Sequence, residues 1–237
     1  MFHQIFTIPL LILLLFVNKP KLKELFQILV LTVIAVSYTI PWDSFLIEKT
    51  VWTYSRANVV GTVGNIPFEE LFFMVVQVFI SSLVFRFLLT KFPQSDKNKP
   101  NKNKLSDSKW LKVLAVVLFS FLSLVGFICL RESNTFYLGI ILAWACPILA
   151  FQWLFMPENL FVKLKKFFLA ITISTVYLCI ADGIAIGNKI WLISTEFSTG
   201  LKIGGLPIEE LIFFLLTNLL IIQGYSLITK LQMPLKD

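Results

Sequence analysis

Seven apolar segments, most of them long enough to cross a membrane, divide this 237-residue sequence. About 20 apolar residues span the hydrocarbon core as a helix, which places the segments at residues 3–18, 24–41, 67–90, 110–131, 135–156, 166–186 and 207–229. The composition agrees, since 57% of the residues are hydrophobic, 15% are charged and the mean hydropathy is +0.82. We therefore predict an all-α, polytopic integral membrane protein. Residues 1–17 lack the charged start and the cleavage site of a signal peptide, so the first helix is expected to be retained.

The charges are distributed unequally between the two sides of the membrane. If all seven segments span, 16 of the 21 Lys and Arg residues lie on the side that holds the C-terminus. The positive-inside rule then predicts a cytoplasmic C-terminus and an outer N-terminus in a bacterial inner (plasma) membrane. These basic residues lie between apolar segments, so the net charge of +7 reflects topology and not nucleic-acid binding. Nine of the 14 acidic residues fall on the opposite, outer side.

The sequence contains an internal repeat. Residues 66–77, IPFEELFFMVVQ, match residues 206–217, LPIEELIFFLLT, at an offset of 140. An Asp and a Trp stand nine residues apart upstream of each copy, as Asp43 with Trp52 and as Asp182 with Trp191.

The repeat predicts that the first three helices correspond to the last three, with the fourth as a connector. We divide the chain into a first repeat (1–92), a Lys-rich linker and connector helix (93–134), and a second repeat (135–237). The polar segment 91–109 is expected to be flexible. Both repeats then have the same orientation, so equivalent motifs lie at the same depth and face a shared cavity.

Each repeat contains the motif Pro-x-Glu-Glu-x-x-Phe, formed by Pro67, Glu69, Glu70 and Phe73 and by Pro207, Glu209, Glu210 and Phe213. Proline suits the first position of a helix, and the glutamates then lie in the first turn, where the helix dipole favours negative charge. Adjacent side chains point about 100° apart, so one glutamate can face a cavity while the other meets a neighbour. Solvated helix starts explain one copy equally well, but two copies beside apolar helices favour function.

The doubled motif, the upstream Asp and Trp residues and the two three-helix halves resemble the membrane-integral bacterial lycopene cyclases, in their fused two-half form. The resemblance covers nearly the whole chain except the Lys-rich linker. It implies a lycopene β-cyclase, an isomerase that converts the linear ends of lycopene to β-rings, giving γ-carotene and then β-carotene. It implies no metal and no other cofactor, and a lipid-soluble polyene that arrives from membrane lipid.

Cyclisation needs a proton delivered to a terminal double bond and a second proton removed from the resulting carbocation. A carboxylic acid in an apolar setting and a second carboxylate can divide these tasks. The predicted catalytic residues are therefore Glu69, Glu70, Glu209 and Glu210, without assignment of acid and base. Predicted supporting or substrate-binding residues are Asp43, Asp182, Trp52, Trp191, Phe73, Phe213, Pro67 and Pro207.

Several alternatives stay open at this stage. The aspartates can be capping residues of the outer loops, and the tryptophans can belong to an interfacial aromatic belt. A C50-carotenoid cyclase and a small proton-coupled transporter are the alternative functions, although acids at span ends rather than at the midplane disfavour the transporter. The number of rings, their β, ε or γ type and the oligomeric state are left open. The single His3 and the three isolated cysteines are predicted to have no chemical role.

Overall fold

The computed structural model describes residues 2–54, 59–92, 102–156 and 163–231. It contains seven helices: α1 (His3–Asn18), α2 (Leu22–Glu48), α3 (Phe68–Lys91), α4 (Lys102–Cys129), α5 (Phe136–Leu154), α6 (Leu164–Gly187) and α7 (Ile208–Leu231). The predicted all-α polytopic fold is confirmed. Six of these helices are long and apolar enough to cross a membrane, whereas α1 is a shorter apolar helix that begins with the π-helical turn His3–Thr7.

Two of the predicted boundaries are wrong. Helix α2 continues through Pro41 to Glu48, so Asp43 lies inside the helix and not at the start of a loop; Asp182 likewise lies inside α6. The connector helix begins at Lys102, within the segment predicted to be a flexible linker. Residues 93–101 of that linker lie outside the described residues.

The six helices of the two repeats, α1–α3 and α5–α7, make equivalent contacts in the two halves. At the centre, α3 and α7 contact each other. Helix α3 also packs on α1, α2 and α6, and α7 packs on the corresponding helices α5, α6 and α2. Between the central helices, the Gln77 amide donates a hydrogen bond of 2.9 Å to the Thr217 hydroxyl. These two residues occupy equivalent positions of the repeat.

Short strands connect the second and third helices of each repeat. In the first repeat they are β1 (Trp52–Tyr54), β2 (Thr62–Val63) and β3 (Ile66–Pro67); in the second they are β4 (Trp191–Ile193), β5 (Lys202–Ile203) and β6 (Leu206–Pro207). Strands β1 and β4 pair antiparallel across the two repeats. Strands β2–β3 and β5–β6 form hairpins with two-residue turns, in which Gly64 and Gly204 have φ near +60°, a conformation that glycine adopts without strain.

The prolines of the two motifs end these hairpins. Pro67 has an extended backbone conformation, with ψ of 145°, and α3 begins at Phe68. Pro207 similarly ends β6 before α7. The prediction that they are the first helical residues is therefore wrong by one position. The hairpins fix the direction in which the paired glutamates enter the bundle.

Helix α4 packs along α5 at very short range. A Cβ atom added at Gly126 would lie 2.6 Å from the Ala143 backbone nitrogen, and one added at Gly139 would lie 2.9 Å from the Leu130 nitrogen. Glycines at such positions allow the backbones of membrane helices to approach closely. The connector is thus held on the second repeat by two glycines.

We expect Gly126→Ala to destabilise the protein by about 1–3 kcal/mol, because backbone atoms must move to accept the methyl group. The measurement is thermal unfolding of the purified protein in detergent. Gly183→Ala is the matched control, because an added Cβ at this site in α6 meets nothing within 4 Å. Equal midpoints for the two variants contradict the close-packing argument.

Candidate active site

A cavity of about 600 Å³ opens at the end of the bundle where α2 and α6 end and α3 and α7 begin. Its walls come from both repeats and are mostly apolar and aromatic. Its polar lining includes five carboxyl side chains inside helices: Asp43, Glu69, Glu70, Asp182 and Glu210. A carboxyl group in such surroundings is costly unless it is partnered or functional.

The second glutamate of each motif faces this cavity and is held by a tyrosine. The Tyr54 phenol donates a hydrogen bond of 2.5 Å to Glu70 Oε2. The Tyr137 phenol donates one of 2.8 Å to Glu210 Oε1. The two glutamates are close enough to interact electrostatically. Each repeat thus places one tyrosine-bonded carboxyl group in the same cavity.

The first glutamate of each motif has a different role. Glu69 Oε1 accepts a hydrogen bond of 2.9 Å from the Val60 backbone N–H. Glu209 Oε1 accepts bonds of 2.7 Å from both the backbone N–H and the hydroxyl of Thr199. Val60 and Thr199 both lie in the loop that precedes the helix of their glutamate. Glu69 and Glu209 therefore fasten the preceding loop to the start of the helix, and Glu209 does not line the cavity.

The two aspartates lie beside the cavity-facing glutamates. Asp43, 1% exposed, interacts electrostatically with Glu70, and Asp182, 3% exposed, interacts with Glu210. Asp182 Oδ1 also accepts a hydrogen bond of 2.8 Å from Trp191 Nε1. The equivalent indole N–H of Trp52 has no hydrogen-bond partner within the described ranges. The repeats therefore place the same acids in different environments.

The aromatic residues predicted from the repeat also line the cavity: Trp52, Trp191, Phe73 and Phe213. Trp52 is only 7% exposed and packs edge-on against Tyr137, with ring centroids 5.4 Å apart. This placement differs from an interfacial belt, in which tryptophans face the headgroups. The site combines acids with aromatic faces, which can stabilise a nearby cation.

Three cavity residues were missed by the sequence analysis. Tyr54 and Tyr137 are not matched by a tyrosine in the other repeat, and His3 was predicted to have no role. His3 lines the cavity, with its ring 5.1 Å from that of Phe72. Burial above all, and then the Glu70 carboxyl, raise the pKa of Tyr54 well above its usual value near 10. The Tyr54 phenol therefore remains a hydrogen-bond donor at neutral pH.

The described part of the chain holds no group of three or more His, Cys, Asp or Glu side chains arranged to hold a metal ion. Its cysteines are unpaired; Cys146 is buried and Cys129 and Cys179 are half-buried. The titratable groups that line the cavity are carboxyl groups, phenols and the His3 imidazole.

The fold and the site define a polytopic membrane protein with a carboxyl cluster inside an apolar and aromatic cavity. A family model described as lycopene cyclase matches residues 2–88 and 134–228. The chain therefore belongs to the lycopene cyclase family.

Curated relatives support this assignment. The lycopene β-cyclase of Halobacterium salinarum is 35% identical over 198 residues, covering 84% of this chain and 80% of the relative. The bifunctional lycopene cyclase/phytoene synthase of Gibberella fujikuroi is 37% identical over 232 residues, and that of Aspergillus niger is 35% identical over 204. The chain spans only 38% and 34% of these fungal proteins. No solved structure matches the chain.

Proposed function

We propose that this protein is a lycopene β-cyclase, which isomerises the linear ends of lycopene to β-rings through carboxyl groups inside the membrane. The observation that carries the proposal is the pair Glu70 and Glu210, each hydrogen-bonded to a phenol and both facing one apolar cavity. Family membership supports a carotenoid substrate, and the cavity walls suit a hydrocarbon.

The reaction requires one proton to enter and one to leave. A protonated carboxyl group gives its proton to the terminal double bond of the end group, which produces a tertiary carbocation. The neighbouring double bond attacks the cation and closes the six-membered ring. A carboxylate then removes a proton from an adjacent carbon to leave the ring double bond, so no oxidant or reductant is consumed.

We assign these two proton transfers to Glu70 and Glu210, one acting as the acid and the other as the base. Asp43 and Asp182 lie beside them and return the proton from the base to the acid after each ring closure. The faces of Trp52, Trp191, Phe73 and Phe213 stabilise the carbocation in the cavity. Glu69 and Glu209 support the site by holding the loops, and Pro67 and Pro207 set the helix starts.

The fused two-repeat organisation has a direct chemical meaning in this proposal. Each repeat (1–92 and 135–237) supplies one tyrosine-bonded glutamate and one aspartate. A single repeat therefore lacks one of the two proton-transfer glutamates. Residues 93–134 connect the repeats in the same orientation.

Lycopene cyclisation by the intact chain is the test of the proposed function. The protein is expressed in a lycopene-accumulating bacterial strain and the pigments are separated by chromatography. Appearance of γ-carotene or β-carotene is the expected result. If lycopene is unchanged while the protein is present in the membrane, C50 precursors are tested next, and failure with both substrates overturns the cyclase proposal.

We also propose that the acid cluster lies at the outer face of a bacterial inner membrane, with the C-terminus in the cytoplasm. A cysteine introduced at Val63, in the exposed β2–β3 hairpin, should react with a membrane-impermeant maleimide in intact spheroplasts. A cysteine introduced at Leu22, which is 84% exposed at the other end of α2, should react only after lysis. The reverse pattern contradicts the proposed orientation.

A further inference from the structure

Two lateral interfaces between helices, which we call seams, are bridged by hydrogen bonds from equivalent tyrosines. The Tyr38 phenol of α2 donates a hydrogen bond of 3.0 Å to the Trp144 carbonyl of α5. The Tyr177 phenol of α6 donates one of 2.6 Å to the Phe6 carbonyl of α1. Tyr38 and Tyr177 are 139 residues apart, as are the two aspartates, so the bonds are related by the repeat. Each seam joins the second helix of one repeat to the first helix of the other.

Within the described residues, the α2–α5 seam contributes both of its hydrogen-bonded residues, Tyr38 and Trp144, to the cavity lining, whereas α1 and α6 line the cavity through Phe2, His3, Leu178 and Asp182. Ile34 and Tyr38 line the cavity and are 57% and 41% exposed. Such large exposed fractions in cavity-lining side chains indicate that the cavity is open at this seam. In the α1–α6 seam, Phe6 and Tyr177 are not cavity residues, and neither is Ile173, the counterpart of Ile34.

A hydrogen-bonded triad explains why the cavity does not open at the α1–α6 seam, which we call the closed seam. Ser81 of α3 donates to Asn218 Oδ1 of α7 at 2.6 Å, and Asn218 Nδ2 donates to Thr175 of α6 at 3.1 Å. These bonds draw α3, α6 and α7 together. The counterparts of the three residues in the other half are Ile221, Val78 and Val36, all apolar and all lining the cavity.

On the side of the α2–α5 seam, the cavity extends from the acids along the helix axes; we call this extension the slot. Its lining on α2 runs from Asp43 to Leu31, which corresponds to about 18 Å at 1.5 Å per residue. Below the acids the walls of this slot are mostly apolar, formed by residues such as Val36, Val78 and Ile148. Their polar members are Thr39, Gln77, Gln152 and Thr217. A C40 polyene is longer than this slot, so one end group reaches the acids while the rest of the chain must leave the bundle.

We propose that the α2–α5 seam is the single lateral access route for the carotenoid, with Tyr38 and Trp144 as its gate. The polyene lies in the slot with one end group at Glu70 and Glu210, and its tail passes between α2 and α5 into lipid. The occupant is a long, linear hydrocarbon, because the slot is elongated and mostly apolar and opens on exposed apolar side chains. This inference rests on the proposed function for the identity of the ligand.

One access route implies one end group at a time. After the first ring closes, the molecule must withdraw through the seam and return in the opposite direction before the second ring can form. The monocyclic product therefore leaves the protein as a free intermediate. Added unlabelled monocyclic carotene is expected to dilute the label that passes from lycopene into the bicyclic product.

Photo-cross-linking tests the route directly. Ile34 and Ile173 are replaced separately with benzoylphenylalanine in the full chain, which is purified in lipid nanodiscs loaded with lycopene. The two positions are equivalent by the repeat and both are exposed, at 57% and 43%, so neither replacement disturbs the core. We expect a lycopene adduct by mass spectrometry from position 34 and at most a small fraction of that yield from position 173. Equal yields overturn the proposal, because the label then reports only lycopene in the lipid.

A matched pair of valines on α2 adds a functional measurement. Val36→Phe places a ring in the slot, whereas Val33→Phe places the same ring on a side chain that is 59% exposed to the outside. Val36→Phe should weaken lycopene binding, measured by quenching of tryptophan fluorescence, by about tenfold or more. Val33→Phe should remain within about twofold of the original protein. If both variants bind equally, the slot is not the binding site.

The two proposals fail separately. Adducts at position 34 without ring formation overturn the cyclase proposal and leave the access route standing. Ring formation with equal adduct yields at positions 34 and 173 overturns the access route and leaves the cyclase standing.

Discussion

Replacing Glu70 or Glu210 with glutamine should reduce cyclisation of lycopene by about 10³-fold, within the range typical for loss of a general acid or base. Glutamine has nearly the same shape as glutamate, and its amide oxygen can still accept the hydrogen bond from Tyr54 or Tyr137. It cannot donate an acidic proton or remove one from a carbocation. The measurement is the rate of γ- and β-carotene formation by the purified variants.

Glu69→Gln and Glu209→Gln are the matched controls, because each lies one residue before its cavity-facing partner in the same helical turn. Their Oε1 atoms accept hydrogen bonds from the loop at Val60 and Thr199, and an amide oxygen can accept the same bonds. We expect these variants to keep activity within about tenfold of the original protein, since a weaker hydrogen bond costs about 1 kcal/mol. Equal losses in all four variants contradict the division of the motif into a chemical and a structural glutamate.

Much of the fold could be predicted from the sequence, because the apolar segments locate the helices and the internal repeat relates the two halves. Seven apolar segments placed the helices to within a few residues at most ends, and the doubled motif at Pro67 and Pro207 placed both glutamate pairs at one end of the bundle. Hydropathy failed at α2, which continues seven residues beyond the predicted end. Its last turns carry Trp42, Asp43 and Ser44, which lower the local hydropathy. These turns nevertheless stay helical inside the bundle, where Asp43 is buried.

The division of labour within each glutamate pair was expected in outline but not by residue. Helix geometry requires adjacent side chains to point in different directions, but it does not say which one faces the partner repeat. That depends on the hairpin, which fixes where α3 and α7 begin, and on the hydrogen bonds from Val60 and Thr199. Those contacts are between residues nine or ten positions apart and have no sequence signature.

The internal repeat also could not predict that the two halves of the site differ. A repeat predicts equivalent residues, whereas Tyr54 comes from a strand of the first repeat and Tyr137 from the start of α5 in the second. Likewise, comparing the two repeats for identical residues does not single out Ser81, Asn218 and Thr175, because their counterparts are different amino acids. The differences between the halves are what separate an open seam from a closed one.

Removal of either cavity phenol should have the second-largest effect on catalysis. Tyr54→Phe and Tyr137→Phe keep the rings, including the packing of Tyr137 on Trp52, but remove the donor that positions Glu70 or Glu210. A hydrogen bond to a charged group contributes about 1.5–3 kcal/mol, which corresponds to a fall in kcat of about 10- to 150-fold. KM should change little, because the phenols contact the acids and do not form the slot.

Tyr177→Phe is the control for this pair. It also removes a phenolic hydrogen bond, of 2.6 Å to the Phe6 carbonyl, but it lies in the closed seam outside the cavity. We expect its kcat to remain within about twofold of the original protein. A loss in Tyr177→Phe as large as in Tyr54→Phe or Tyr137→Phe would show that the phenols act through general stability.

The two tyrosine variants can also assign the acid and the base. In a pH–rate profile of kcat, the alkaline limb reports the group that must be protonated and the acidic limb reports the group that must be ionised. Tyr54 contacts only Glu70 among the paired acids, and Tyr137 contacts only Glu210. We therefore expect Tyr54→Phe to move one limb and Tyr137→Phe to move the other. The variant that moves the alkaline limb identifies its glutamate as the proton donor, whereas movement of the same limb in both contradicts a division of roles between the two glutamates.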